Sequence, residues 1–112
     1  MKVIIESPYS GNVERNLRYL RACMRRCCLK GESPYASHGL LTQPGVLDDD
    51  DPDDRALGIQ LGFEWRAVAQ KTVVYIDYGV TRGMQLGIED AKKRGRPIEY
   101  RTLGEAFLEK LL

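Results

Sequence analysis

The stretch from Val73 to Tyr100, VVYIDYGVTRGMQLGIEDAKKRGRPIEY, constrains the fold more than any other part of the chain. Residues 72–77 (TVVYID) form a continuous apolar run rich in β-branched side chains, which predicts a strand buried on both faces. A turn carrying Gly79, Thr81, Arg82 and Gly83 follows. The spacing then predicts a helix from Arg82 to Arg94, closed by Gly95. RPIEY at 96–100 reads as a further strand. Strand, helix and strand in so short a span make a unit whose strands run parallel through a right-handed crossover.

The rest of the chain repeats this alternation. Residues 2–6 (KVIIE) predict a first strand, stopped at Ser7-Pro8. From Asn12 to Lys30, Val13, Leu17, Leu20, Met24, Cys27 and Cys28 recur at three- and four-residue steps, with Asn12 as N-cap and Gly31 as stop. Residues 34–38 (PYASH) predict a short second strand. The acidic run Asp48–Asp54 lacks the alternating spacing, central Gly and terminal Glu of a calcium loop. It fits a helix start instead, with Asp51 as cap, Pro52 in the first position, and Asp53 and Asp54 at the positive end of the dipole. That helix continues through Leu57, Leu61, Trp65 and Val68, and a last short helix is predicted over 103–112. The expected fold is α/β, a flavodoxin-like or Rossmann-like three-layer sandwich around a four-stranded, mostly parallel sheet, with residues 1–112 forming one domain.

Charge and cysteine usage exclude several classes of function. Lys and Arg number 17 against 16 acidic residues, so nothing points to binding of long nucleic acid. No apolar run approaches the roughly 20 residues that span a bilayer. The opening MKVIIESPYSG is too short for a signal peptide, and a cytoplasmic protein is expected. Cys23, Cys27 and Cys28 share one predicted helix, but His38 is the only histidine and no CxxC is present. A zinc site wants about four ligands, so these thiols are expected to pack as small hydrophobes, with no metal or cofactor.

In open parallel sheets, ligands bind beyond the carboxyl ends of the strands, where the strand order reverses. Two loops there carry suitable residues. After the first strand come Ser7, Pro8, Tyr9 and Ser10, followed early in the next helix by Arg15 and Asn16. After the third come Gly79, Thr81, Arg82, Gly83 and Met84. Each loop leads into a helix start whose free N–H groups favour phosphate or carboxylate. His38, Thr42 and Gln43 follow the second strand as a third contributor. Tyr9 is the best placed ring for stacking on a base, and Arg15 fits a phosphate contact or a solvated charge equally well. A nucleotide-like ligand is the expectation.

Four segments also resemble a known family: ESPYSGNVERN, PYASHGLLTQPG, LDDDDPDDRALGIQLG and GVTRGMQLGIEDAKKRGRPI. Over Ile5 to Tyr100 the chain is similar to small phage and bacterial members of the nucleoside 2-deoxyribosyltransferase-like superfamily. The resemblance implies a flavodoxin-like fold, a nucleoside or nucleotide pocket, and dimers or larger homo-oligomers in which a neighbour completes that pocket. It also implies cleavage of an N-glycosidic bond. A glutamate on the helix after the third strand attacks the anomeric carbon, and an aspartate handles the proton, a two-carboxylate arrangement of retaining type.

The chain departs from that pattern at both carboxylates: the aspartate's region, GIQLGFEW, holds Gln60 and Glu64 but no Asp, and the glutamate's place is empty. The family's turn reads Ser/Thr-x-Gly-x-x-x-Glu, and counting from Thr81 lands on Gly87. Glu89 lies two residues on, about 200° around the helix. Asp77 and Glu6 are the other candidate carboxylates. One expectation is therefore a binder that senses or sequesters a nucleotide-derived ligand, such as a signalling nucleotide in phage–host conflict. The alternative is an N-glycosidase or deoxyribosyltransferase using Glu89, Asp77 or Glu6, and a third is an interaction module with a vestigial crevice. Gly58, Gly62 and Gly87 each cost roughly 0.8–1.0 kcal/mol of helix propensity relative to Ala, which predicts close packing or space for a ligand.

Overall fold

Val3, Ile4 and Ile5 are almost inaccessible to solvent, as a strand covered on both faces must be. They lie in β1 (Lys2–Glu6) of a computed structural model that describes residues 1–111. On one side β1 pairs with β2 (Ser33–Tyr35) and on the other with β3 (Lys71–Tyr75), while β4 (Ile98–Arg101) pairs with the far edge of β3. All three pairings are parallel, in the order β2-β1-β3-β4, with Ile4 opposite both Tyr35 and Thr72. The chain moves outward from β1 to β2, then returns to the other side for β3 and β4. The reversal falls between β1 and β3, the flavodoxin-like order expected from the sequence.

Alternation along the strands splits the core in two. Val3, Ile5, Val73 and Tyr75 face α1 (Val13–Leu29), where they meet Tyr19, Leu20, Cys23 and Cys27. Leu103, with Phe107 and Leu108 of α5 (Glu105–Leu111), completes this layer. On the opposite face Val74 packs with Met84 and Ile88 of α4 (Arg82–Lys93), flanked by Ile76 and Ile98. Cys23 and Cys27 are buried among these apolar groups, and Cys28 is exposed. Among the described residues no cluster of His, Cys, Asp or Glu is arranged to hold a metal ion, and no helix is long and apolar enough to cross a membrane.

A half-buried ionic cluster joins distant strands on the α1 side. Glu32, just ahead of β2, accepts bonds from Arg101 at 2.8 and 2.6 Å and pairs with Lys71 at 3.2 Å. Lys71 also pairs with Glu99 at 3.0 Å, and Arg101 pairs with Glu99. The Arg101 hydrogen bond holds the Glu32 carboxyl down at about 2, and the same guanidinium holds Glu99 at about 2.

Three elements differ from the sequence expectation. The strand expected at 34–38 ends at Tyr35, and Ser37–Leu40 form a single helical turn, α2. The Gly39 N–H bonds back to the Ala36 carbonyl at 3.1 Å and turns the chain off the sheet edge. The strand expected at 72–77 stops at Tyr75, because Asp77 uses its side chain to bind another loop and Gly79, at φ +84°, starts the turn. The third difference is α3 (Pro52–Val68). It is capped by Asp51 as expected, but only Gly62 is buried, and Leu57, Leu61, Trp65 and Val68 stand between 42% and 54% exposed. The expected helix over 103–112 is α5, and Leu112 lies outside the described residues.

Candidate ligand-binding site

The loop after β1 is held by the helix that follows it. Asn12 caps α1, its side-chain oxygen accepting the Arg15 N–H at 3.1 Å. One turn on, the buried Asn16 donates to the Tyr9 and Ser10 carbonyls at 2.8 and 3.2 Å and accepts two bonds from Arg15. The Arg15 guanidinium lies 4.1 Å over the ring of Tyr78, in the loop after β3. Tyr78 also meets Tyr19 edge-on at 4.7 Å. The loops after β1 and β3 are thus fastened side by side. Arg15 and Asn16 hold these loops in shape, and Ser7 and Pro8 are buried.

An open groove of about 800 Å³ runs between the β1 loop and residues 42–50. Tyr9, Ser10, Thr42 and Gln43 contribute to its walls, as do four aspartates, Asp48, Asp49, Asp50 and Asp54. No Lys or Arg lines it. Tyr9 is pinned from behind by His38, the two rings stacking at 4.7 Å and 12°. Burial pushes the His38 imidazole below its ordinary value, so the ring is neutral at pH 7. This lining suits a ligand with hydroxyl and amide groups and a flat apolar face. The sequence reading named Tyr9, Ser10, His38, Thr42 and Gln43, but missed the aspartates, which it assigned to the start of α3 alone.

The turn after β3 stands apart from this groove. Thr81 caps α4, accepting the Met84 N–H at 3.3 Å, while the Met84 sulfur accepts the Thr81 N–H at 3.4 Å. Met84 belongs to the core, while Gly79, Thr81, Arg82 and Gly83 are exposed on the adjoining rim.

The candidate carboxylates have separate fates. Glu89 is exposed on α4. Asp77 accepts from the Tyr19 hydroxyl at 2.5 Å, the Leu103 N–H at 2.9 and 3.0 Å, and the Gly104 N–H at 3.1 Å. Burial alone would raise its carboxyl, but these donors outweigh it and hold the group below the usual range. Asp77 therefore fastens β3 to the chain entering α5. Glu6, at the carboxyl end of β1, lies against Gly87: a Cβ on that glycine would come within 2.2 Å of the Glu6 carboxyl carbon. The Glu6 carboxyl is 2.9 Å from Arg66 of α3 and 6% exposed. Burial pushes it above the usual carboxylate range, against the opposing pull of Arg66.

The buried Arg96 completes the support. Arg96 donates to Thr72 at 2.9 Å, to the Arg66 carbonyl at 2.7 Å and to Asp90 at 3.0 Å, clamping the end of α3 to α4. Gly87 thus answers to close packing, and the space that it leaves is filled by a carboxylate from another element. The sequence held one hint of this: Glu6 and Ile4 share strand parity, so both face the α4 side.

A family model described as "Domain of unknown function (DUF7768)" matches residues 1–101. No curated protein matches the sequence. Among solved structures the chain is similar to a 2-deoxyribosyltransferase from the psychrotolerant bacterium Bacillus psychrosaccharolyticus, with a TM-score of 0.72 and 14% identity over 100% of this chain and 82% of that one. At that identity the likeness establishes the fold.

Proposed function

The chain belongs to the DUF7768 family, and on that footing we propose that it binds a nucleoside- or nucleotide-derived small molecule, for sensing or sequestration, without cleaving it. The observation that carries this reading is the pairing of Gly87 with Glu6. The position that the family resemblance assigns to an attacking glutamate holds no side chain. The carboxyl beside it is buried and neutralised by Arg66 at 2.9 Å. A nucleophile needs access, and the buried Glu6, set against Arg66, has little. The groove beside Tyr9 stays open and carries polar groups matched to sugar hydroxyls and base edges. The likeness to a 2-deoxyribosyltransferase fold supports a ligand of nucleoside type. In this reading the protein is a single cytoplasmic domain working as a homo-oligomer.

One observation favours a second reading. Glu6 delivers a carboxylate to the very spot vacated at position 87, so a substrate that displaced Arg66 would meet a relocated nucleophile and be cleaved at its glycosidic bond.

Thermal melts against a panel of nucleosides and their 5′-monophosphates, with chromatography of the mixtures, separate the two. Binding without turnover raises the melting temperature, by about 2.7 kcal/mol of stabilisation at a hundredfold excess over Kd, and no free base accumulates. Tyr9→Ala abolishes the shift. Release of base that disappears in Glu6→Gln overturns the binder in favour of the enzyme, and no shift with any compound overturns both.

A further inference from the structure

We propose that α3 is the face through which two copies of this chain associate, pairing antiparallel about a two-fold axis. The inference rests on the homo-oligomer in the reading above and assigns the surface that makes it. Leu57, Leu61, Trp65 and Val68 are spaced four, four and three residues apart, which puts them on one face of the helix. They are 43%, 42%, 51% and 54% exposed, and Ile59 and Phe63 on a second face are 56% and 45% exposed. With ~200 Å² for each large side chain, the four of the first face at about half exposure offer on the order of 400 Å² of apolar surface. A stable interface takes about 800 Å² from each partner, and the largest patch on a typical monomer is about 300–600 Å². That face of the helix therefore supplies about half of what each partner in a dimer contributes.

The occupant follows from order and charge. Trp65 is already fixed, stacked on Tyr35 of β2 at 5.1 Å and 22°, while its outer side stays open. A pre-ordered aromatic costs little further entropy on association and is a common interface anchor. One end of the helix carries the aspartates of residues 48–54, which repel an anionic lipid surface or nucleic acid. A protein surface remains, and the seam complements itself. In an antiparallel pair Leu57 meets the partner's Val68, and Leu61 meets the partner's Trp65, large opposite small. Each copy presents the same patch, as a two-fold interface requires.

Sedimentation velocity on the full chain across a concentration series tests this, with Leu61→Asp and Trp65→Asp as variants. Both side chains are half exposed in the single chain, so the substitutions leave its fold intact, which circular dichroism verifies. The expected result is a dimer whose dissociation constant rises about 100-fold or more in the double variant, two interface anchors being lost. An oligomer unchanged by both substitutions overturns the assignment of α3 and leaves the homo-oligomer standing. A monomeric wild type overturns both, including one that binds vesicles or another protein through this face. Neither outcome bears on the ligand, which the thermal melts read separately.

Discussion

At the scale of single residues, the Gly87–Glu6 contact is the most demanding arrangement in the molecule. A methyl group at 87 must share space with a carboxyl that Arg66 holds in place, and overpacking of this kind costs about 1–3 kcal/mol. Gly87→Ala should therefore lower stability by that amount in urea titrations. In a Glu6→Ala background the space is open. There the same substitution should be neutral or stabilising by up to ~1 kcal/mol, because alanine is the better helix former. Equal cost in both backgrounds would show that Glu6 does not fill the gap. The sequence revealed that position 87 lacked a carboxylate, because the motif spacing is local. It did not reveal what occupied the gap, because Glu6 and Gly87 are joined only by the fold. Asp77 is a similar case. Its place at the end of β3 was legible, but its engagement by the N–H groups of Leu103 and Gly104 depends on a loop 26 residues away.

At the scale of elements, the starts and stops were readable because capping is short-range chemistry. Asp51 accepts the Asp53 N–H at 2.9 Å, and Pro52 opens α3. Asp51→Ala should cost about 1 kcal/mol by loss of that cap, measured as a shift in the urea midpoint at constant slope. What α3 would face was not readable. A four-and-three spacing tells which side chains share a face, not whether that face meets the sheet or the solvent. Here the inward ridge is Gly62 flanked by Arg66, and the leucines and the tryptophan are displaced outward. The strand at PYASH was overextended for a related reason. β-propensity ran on past Tyr35, but the turn closed by the Gly39 N–H on the Ala36 carbonyl takes the chain off the edge while β1 continues to Glu6.

At the scale of the whole molecule, the cluster of Glu32, Lys71, Glu99 and Arg101 ties together segments almost seventy residues apart. Glu32 and Glu99 titrate near 2 in the folded chain and near 4.5 in the unfolded one. Their folded values are depressed, so their stabilisation is complete above about pH 4.5 and is lost as the pH falls towards 2. Melts between pH 7 and pH 2.5 should show stability declining through that window. Glu32→Gln should be less stable at pH 7 and flatter below pH 4.5. A Glu32→Gln profile parallel to that of the wild type would remove the cluster as the cause. None of these pairings is visible in the sequence, where the four charges are scattered among ordinary surface residues.

The sheet order has a consequence for how the protein is made. β1 leaves the ribosome ahead of both its neighbours, yet it ends in the interior of the sheet, between β2 and β3. Its second neighbour emerges only after α1, β2 and all of α3 have been synthesised. Until Lys71–Tyr75 arrives, Val3–Ile5 present an apolar strand with one edge open, the kind of surface that recruits a chaperone or another nascent chain. Ribosome-stalled chains released before and after that strand should differ sharply in solubility.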